Sequence, residues 1–200
     1  MKKMLVLAVV AVFAFSGSAM AVPVDPDPDG MSMYFDVGGE TFCATHAGGF
    51  LPLTAHLLVT NASAPDVKAW EARLELDTNA QLVNPWVLSP GAVPVVEGND
   101  YQVGTGSNPI PAIDGVAHLA DITILFYGMN PPGTDFATYS VSGVPGSLAF
   151  PDGAGYAHVA GTPIPCQPID GTWGACAWLN GVCDIIANED LTWGQVKSLY

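Results

Sequence analysis

The sequence contains very few basic residues. Only five of its 200 residues are Lys or Arg, against nineteen Asp or Glu, and the formal net charge is −14 with neutral His. Proteins that bind nucleic acids or anionic membranes do so largely through clustered Lys and Arg. We therefore expect no nucleic-acid partner and no attachment to an acidic lipid surface, and the charge favours cations as small partners.

The sequence also lacks the short motifs of common enzyme classes. It has no G-x-S-x-G elbow, no H-E-x-x-H pair and no phosphate-binding loop. Two carboxylates brought together by a fold can cleave a glycosidic bond, so a hydrolase stays an alternative. Glu71 and Glu75 share one face of a predicted strand, but Arg73 between them fits an exposed ionic face better. We predict a protein that is not an enzyme and has no required cofactor.

The first 21 residues have the pattern of an export signal. Lys2 and Lys3 precede an apolar run, and Ala19-Met20-Ala21 supplies the small residues of a cleavage site. No later stretch of about 20 apolar residues is present, so no membrane-spanning helix is expected. We expect a secreted protein, extracellular or periplasmic, that is cleaved near Ala21. Three basic and nineteen acidic residues then remain, a net charge of −16.

The rest of the chain divides into three expected regions. Residues 22–30 are rich in Pro and Asp and are predicted to be a linker, because alternate prolines hold the backbone extended. Residues 31–165 are predicted to form one sandwich domain. Residues 166–200 are predicted to form a cysteine-containing extension that ends in a short helix, since Thr192 and Gln195 have the spacing of a capping box.

Short apolar runs separated by turn residues indicate strands throughout the sandwich region. The clearest run is Val67 to Leu76, in which apolar and charged residues alternate, as in a half-buried antiparallel strand. Val116 to Tyr127 is apolar on both faces, which suits a central strand. About nine strands without helices between them predict an all-β fold of two packed antiparallel sheets. The other predicted strands are Met31 to Asp36, Leu53 to Thr60, Gln81 to Leu88, Val93 to Glu97, Tyr101 to Thr105, Ala137 to Ser142, Ser147 to Phe150 and Tyr156 to Ala160.

The segment from Leu53 to Phe126 resembles a known family. Its features are a strand ending in Val59-Thr60-Asn61, the alternating run that ends at Asp77, the following Gln81-Leu82-Val83, and the turn at Asp114-Gly115 that leads into a long apolar strand. This order of strands resembles a cohesin-type module. The resemblance implies a nine-stranded jelly-roll sandwich that binds a protein or a sugar through one sheet face and performs no chemistry. It predicts an interaction or surface-assembly module whose partner is a protein on the cell surface or in the secretome.

Four cysteines in an exported chain predict two disulfides. They are Cys43, Cys166, Cys176 and Cys183, and all three connectivities stay open. Asn180-Gly181 favours a tight hairpin that sets Trp178 opposite Cys183. The flanking sulfurs would then lie diagonally, at or beyond the usual reach of a bridge, which favours Cys43 or Cys166 as a partner for one of them.

Alternate aspartates near the start of the mature chain suggest a calcium site. Asp25, Asp27 and Asp29 precede Gly30 with the spacing of a calcium loop, and Asp36 occupies the closing position. The competing interpretation is a solvated linker, because Pro26 and Pro28 stiffen a segment that would have to curl around the ion.

Aromatic and imidazole side chains suggest weaker alternatives. A carbohydrate-binding module would use exposed aromatic rings, and polysaccharide is the alternative partner to a protein. Trp70 is expected in the core, and Trp86, Trp173, Trp178 and Trp193 lie near turns or the terminus. The histidines are scattered as His46, His56, His118 and His158, and each is expected to have a backbone partner rather than a metal.

Overall fold

The computed structural model describes residues 26–46, 50–80, 82–83, 85–128, 130–131, 133–169 and 171–181. Every regular element within these ranges is a β-strand, so the predicted all-β class is confirmed. Fifteen strands, numbered β1 to β15 in chain order, are present there, and eight of them have five or more residues. None of these residues belongs to a helix that is long and apolar enough to cross a membrane. The predicted export signal and terminal helix lie outside the described residues.

The first sheet is built around one long antiparallel pair. β3 lies between β1 and β11, and the short β6 and β7 pair with the far edge of β11. Ala55, Leu57 and Val59 alternate along β3 and are fully buried, as period-two burial of one sheet face requires. The strands of this sheet are β1 (Gly30–Tyr34), β3 (Pro52–Thr60), β6 (Leu82–Val83), β7 (Val87–Leu88) and β11 (Ala117–Leu125).

The second sheet has eight strands. Its main path runs β14, β13, β5, β12, β15 and β2, while β9 pairs with β5 and β8 pairs with β9. Only the pairing of β15 with β2 is parallel among the described strands. The strands of this sheet are β2 (Cys43–Ala44), β5 (Ala69–Thr78), β8 (Val93–Glu97), β9 (Asp100–Gly104), β12 (Ala137–Ser142), β13 (Gly155–Ala157), β14 (Pro163–Pro165) and β15 (Gly174–Leu179). The two remaining strands, β4 (Asp66–Val67) and β10 (Ile110–Pro111), form a separate ribbon.

The core lies between the two sheets. Trp70, Ala72 and Leu74 on β5 belong to the same buried cluster as Met31 and Met33 on β1. Burial of each large apolar side chain contributes roughly 1.5–3 kcal/mol relative to exposure. The sandwich architecture predicted from the alternating run is therefore confirmed, and the inner face of that run is the one expected from the sequence.

The sandwich continues beyond the boundary expected at residue 165. Strand β15 pairs with β12 on one side and with β2 on the other. Trp178 thus has Thr138 and Cys43 as its two cross-strand neighbours, which leaves no edge for the expected hairpin partner. Asn180 adopts a left-handed backbone, with φ of 57°, as a tight turn would require. Its side chain forms hydrogen bonds to two other segments of the chain. Its Oδ1 accepts from the His46 N–H at 2.7 Å, and its Nδ2 donates to the Asp135 carbonyl at 2.9 Å.

The segment predicted as a strand from Ser147 to Phe150 forms a loop. The Ser147 N–H donates to the Val144 carbonyl, and Gly146 has a positive φ of 76°, so the chain turns here. The Phe150 ring packs directly on Gly155 of β13, where an added Cβ would come within 2.2 Å of a ring atom. Gly155 therefore lets this loop lie close against the outer face of the second sheet.

Candidate binding face on the second sheet

Three neighbouring strands present a mixed polar and apolar surface on the side of the second sheet that faces away from the core. Cross-strand pairing aligns Glu71 with Gln102, and Gln102 with Val95. Because alternate residues of a strand share a face, the cross-strand partners two positions before and after these residues lie on the same side of the sheet. This β5–β9–β8 face consists of Ala69, Glu71 and Arg73 on β5, Asp100, Gln102 and Gly104 on β9, and Val93, Val95 and Glu97 on β8.

Glu71 is a buried carboxylate with an incomplete set of hydrogen bonds. Its side chain is only 7% exposed. The Gln102 amide donates to Oε2 at 3.0 Å, whereas Oε1 is buried and has no hydrogen-bond partner among the described residues. A buried charged group normally has partners for its oxygens, because an unmet one costs roughly 1–3 kcal/mol or more. Glu71 therefore has unused capacity to bind a donor.

The only Arg on this face is already engaged. Arg73 donates from Nε to Asp100 Oδ1 at 2.6 Å and from Nη2 to Asp100 Oδ2 at 3.1 Å. Hydrogen bonding to Asp100 raises the pKa of Arg73 above its ordinary value. Two-point pairing of this kind fixes the guanidinium on Asp100. Glu71 and the exposed Glu97 are left to set the charge of the face, which is negative.

A cavity opens directly above Glu71. Its volume is about 490 Å³, and it is bounded by the face on one side and by residues 144–149 of the loop on the other. Leu148 at its rim is 99% exposed, and Val95 is 67% exposed. A second cavity of about 420 Å³ adjoins Glu71 on the Val93 side. The carboxylate thus lies beside two solvent-accessible hollows with apolar rims.

Strand β8 forms one border of this face and is an edge strand. Among the described strands it pairs with β9 alone, so its other side is open to solvent. All five of its residues are exposed. Pro94 removes one donor from this edge and Glu97 adds a charge, two features that discourage uncontrolled strand pairing. Val93 and Val95 nonetheless offer exposed apolar surface of the kind found at binding sites.

The combination defines what the face can bind. A desolvated carboxylate without a full set of donors attracts a guanidinium or ammonium group, and hydrogen bonds to charged groups are among the stronger ones in proteins. The exposed Val95 and Leu148 would contact the aliphatic stem or an apolar neighbour of such a group. The face is therefore complementary to a basic side chain flanked by apolar residues.

The aspartates predicted to bind calcium have separate roles where the structure describes them. Asp29 is buried, and its Oδ1 accepts from the Tyr156 hydroxyl at 2.5 Å and from the Ser63 N–H at 2.7 Å. Asp36 accepts backbone N–H groups of its own loop, including Gly38 at 2.8 Å. Burial is the largest single effect and raises the pKa of Asp36. The hydrogen bonds together outweigh burial, so the pKa is below its ordinary value. Asp27 is exposed and Asp25 lies outside the described residues, so calcium binding there stays a prediction.

The cysteines differ from the expected pair of disulfides. Cys43 is disulfide-bonded, whereas Cys166 and Cys176 are buried thiols, and Cys183 lies outside the described residues. Burial raises the pKa of the Cys166 thiol well above its ordinary value. The Cys176 thiol donates to the Tyr139 carbonyl at 3.5 Å. The predicted pair of disulfides therefore stays a prediction.

The tryptophans do not form a stacking platform where the structure describes them. Trp70 is buried in the core, as expected. Trp86, Trp173 and Trp178 are half-buried, and the Trp173 indole donates to the Asp152 carbonyl at 3.1 Å. Trp193 lies outside the described residues. None of the four described tryptophans is fully exposed, and the carbohydrate alternative is not favoured.

Sequence reasoning placed Glu71 on an exposed ionic face, and this was wrong. Glu75 on the same side of β5 is exposed, as expected, but Glu71 is buried, with Gly155 and Gln102 as its cross-strand neighbours and a cavity between it and the loop at residues 144–149. The alternating pattern identifies the face that a side chain occupies, and it contains no information about what covers that face. The only local signal was the glycine at position 155, which a close approach of another segment requires.

The chain was compared with known proteins at the level of sequence and of structure. No family model matches the sequence, and no curated protein matches it. Similar solved structures include the sixth cohesin of scaffoldin B from Acetivibrio cellulolyticus in complex with a Cel5 dockerin mutant. It is 11% identical, the match covers 74% of this chain and 97% of that one, and the TM-score is 0.45.

Two further structures have the same kind of likeness. A type II cohesin domain from the cellulosome of Acetivibrio cellulolyticus is 10% identical over 77% of this chain and 96% of that one, with a TM-score of 0.45. A non-cellulosomal cohesin from Archaeoglobus fulgidus is 14% identical over 74% of this chain and 91% of that one, with a TM-score of 0.41. All three are cohesins, the family that the strand pattern of the sequence resembles.

Proposed function

We propose that this protein is a non-catalytic interaction module that binds another protein through the β5–β9–β8 face. The observation that carries the proposal is the buried Glu71, whose Oε1 has no donor among the described residues and which lines both cavities of the face. The partner presents an Arg or Lys side chain to this carboxylate. Apolar residues beside that basic group pack on the exposed side chains of Val95 and Leu148.

The energetics favour a small number of central contacts. Binding energy at protein interfaces is concentrated in a few desolvated groups, surrounded by residues that exclude water. Glu71 has the burial expected of such a central group, whereas Val93, Val95 and Leu148 form the rim. The strongly acidic chain also increases the rate of encounter with a basic partner, an effect that salt weakens.

Export places the module outside the cytoplasm in this proposal. The leader sequence directs secretion with cleavage near Ala21, and the partner is a protein of the cell surface or of the secreted fraction. Amino-terminal sequencing of the exported product tests this part independently. A product that begins at Val22 supports it, and a product that retains Met1 in the cytoplasmic fraction contradicts it.

A peptide-display selection on the immobilised protein tests the binding face and can be done before the partner is identified. Selected peptides are expected to carry Arg or Lys next to apolar residues. Their affinity should fall at least about tenfold, or roughly 1.4 kcal/mol, on Glu71→Gln. Glu75→Gln is the matched control, because Glu75 lies on the same strand and the same side but is exposed.

Two outcomes would contradict the proposal. The first is a selection that enriches peptides without basic residues. The second is binding that Glu71→Gln and Glu75→Gln weaken equally, because this would show that only the general negative charge of the protein matters.

A further inference from the structure

Three potential metal ligands converge on the outer side of the first sheet, away from the β5–β9–β8 face. His56 lies on β3, and His118 and Asp121 lie on β11. Asp121 Oδ1 is 2.6 Å from His56 Nδ1 and 2.6 Å from His118 Nε2. One atom from each residue can be chosen so that all three lie within 4.8 Å of one another. The partners expected from the sequence were backbone groups, but both imidazoles instead contact one carboxylate.

A break in strand register creates this arrangement. Asp121 lies directly opposite His56, and His118 lies opposite Leu58, but the register shifts between His118 and Ala120. Residues three apart in a regular strand point to opposite faces. The extra residue of a β-bulge brings His118 and Asp121 onto the same face, a use of bulges that is common beside functional sites.

We infer that His56, His118 and Asp121 bind a divalent transition-metal cation, with Zn²⁺ the best fit. Two imidazole nitrogens and a carboxylate oxygen are typical zinc ligands, and three protein ligands leave a fourth position for water. Calcium and magnesium fit poorly, because they require oxygen ligands almost exclusively. The site is therefore distinct in its chemistry from the aspartate loop at residues 25–36.

The two nitrogen–oxygen separations need only a small increase to accept the ion. Ligand atoms around tetrahedral zinc at about 2.0–2.1 Å are roughly 3.3 Å apart, about 0.7 Å more than the present separations of nitrogen and oxygen. Side-chain rotation provides this change while the strands stay in register. Each neutral imidazole has a second nitrogen that can carry the ring hydrogen, which leaves a lone pair for the metal on the nitrogen facing Asp121.

The ion can reach these ligands from solvent. All three residues are half-buried, so the site is neither sealed in the core nor fully solvated. His118 also lines a cavity of about 400 Å³, whose other walls include the exposed Val37 and Ile113. This space gives solvent a route to His118. The net negative charge of the chain favours the approach of a cation.

Calorimetric titration of the chelator-treated protein with Zn²⁺ tests the inference. One ion per chain is expected to bind, and His118→Ala or Asp121→Asn should each weaken binding at least about tenfold. His158→Ala is the matched control, because His158 lies in a separate turn where its Nδ1 accepts the Ala160 N–H. Binding that is absent, or that is equally tight in the ligand variants, overturns the inference.

A measurement on the unaltered protein removes any dependence on how the variants fold. In NMR spectra of the histidine side chains, one equivalent of Zn²⁺ should shift the ring nitrogens of His56 and His118 and leave those of His158 unchanged. Substitution with Co²⁺ should give the visible absorption of a four- or five-coordinate ion. Uniform shifts of all the imidazoles, or the spectrum of hexaaqua Co²⁺, would show that no such site forms.

Discussion

Asp29 and Glu71 are both buried carboxylates of the sandwich, but their surroundings are opposite in kind. Asp29 is 8% exposed, and one of its oxygens accepts from both the Tyr156 hydroxyl and the Ser63 N–H. Glu71 is similarly buried, yet it accepts only from Gln102 and leaves Oε1 without a donor among the described residues. The first carboxylate is used by the fold itself, and the second is the one that we propose binds a group from outside.

The difference shows that burial alone does not distinguish a structural acid from a binding one. What distinguishes them is whether the fold supplies donors, because a buried oxygen without a donor is an energetic cost that a donor from a partner would relieve. Substitutions at the two positions should therefore separate stability from binding. Removing Asp29 should weaken the fold, and removing the charge of Glu71 should weaken only the complex.

Asp29→Ala should have the largest effect on stability. It leaves the Tyr156 hydroxyl and the Ser63 N–H without their acceptor, and Asp29 has a positive φ of 57° that Ala adopts poorly. We expect the free energy of unfolding to fall by about 3 kcal/mol or more, measured by urea denaturation. Asp29→Asn keeps an acceptor and tolerates the backbone conformation, so it should cost clearly less. Equal losses for the two variants would argue against the hydrogen-bond explanation.

Tyr156→Phe should have the next largest effect, about 1.5 kcal/mol or more, because it removes the hydrogen bond to the charged Asp29 and the one that the hydroxyl accepts from the Ala64 N–H. Burial, and then the hydrogen bond to Asp29, raise the pKa of Tyr156 to about 12 from its ordinary value of 10.0. The folded state therefore favours the protonated phenol. The resulting stability is complete below pH 10 and is lost as the pH rises toward 12.

The pH dependence gives this prediction its control. The stability of the unaltered protein should fall more steeply between pH 10 and 12 than that of Tyr156→Phe, as measured by thermal unfolding. Tyr139, whose pKa is also raised by burial, is present in both proteins, so the difference isolates Tyr156. Parallel curves for the two proteins would exclude Tyr156 as the source of the pH dependence.

Arg73→Ala should cost much less stability than Tyr156→Phe. The pair of Arg73 and Asp100 is partly exposed, and ion pairs of this kind contribute little because water and salt screen them. Chemical denaturation at low and high salt would measure this, with the small loss shrinking as salt is added. A loss of stability as large as that of Tyr156→Phe would contradict this, and would mean that Arg73 also supports Glu71.

Glu71→Gln should change stability least of all, by less than about 0.5 kcal/mol. The amide oxygen can still accept from Gln102, and the buried charge without a full set of donors is removed. Urea denaturation of Glu71→Gln and of Asp29→Asn under the same conditions compares the two acids most directly. If Glu71→Gln destabilised the protein as much as Asp29→Asn, Glu71 would be a structural acid like Asp29.

The sequence allowed the main architecture to be predicted because strand alternation is a local property. The strand from Val93 to Glu97 and the strand from Ala137 to Ser142 have the bounds that were expected. The buried face of β5 was also predicted, since Trp70, Ala72 and Leu74 are two residues apart. Each of these features depends on neighbours in sequence, which a single chain displays directly.

The functional features could not be predicted because they depend on contacts between distant segments. Glu71 lines a cavity together with a loop that lies far along the chain, at residues 144–149, and nothing at position 71 indicates this. His118 and Asp121 share a face only because the strand register shifts between them. The expected hairpin at Asn180-Gly181 depends on distant contacts in the same way, since β2 and β12 already occupy both edges of β15 at Trp178.

A double-mutant cycle between Glu71 and the basic residue of a selected peptide tests the central claim most directly. Affinities are measured by calorimetry for Glu71→Gln, for the peptide with its Arg or Lys replaced by Ala, and for both changes together. Close charge pairs at interfaces have coupling energies of about 1.5 kcal/mol or more, and we predict a value in this range. A coupling energy within about 0.3 kcal/mol of zero would show that Glu71 does not contact the basic group, and would contradict the account.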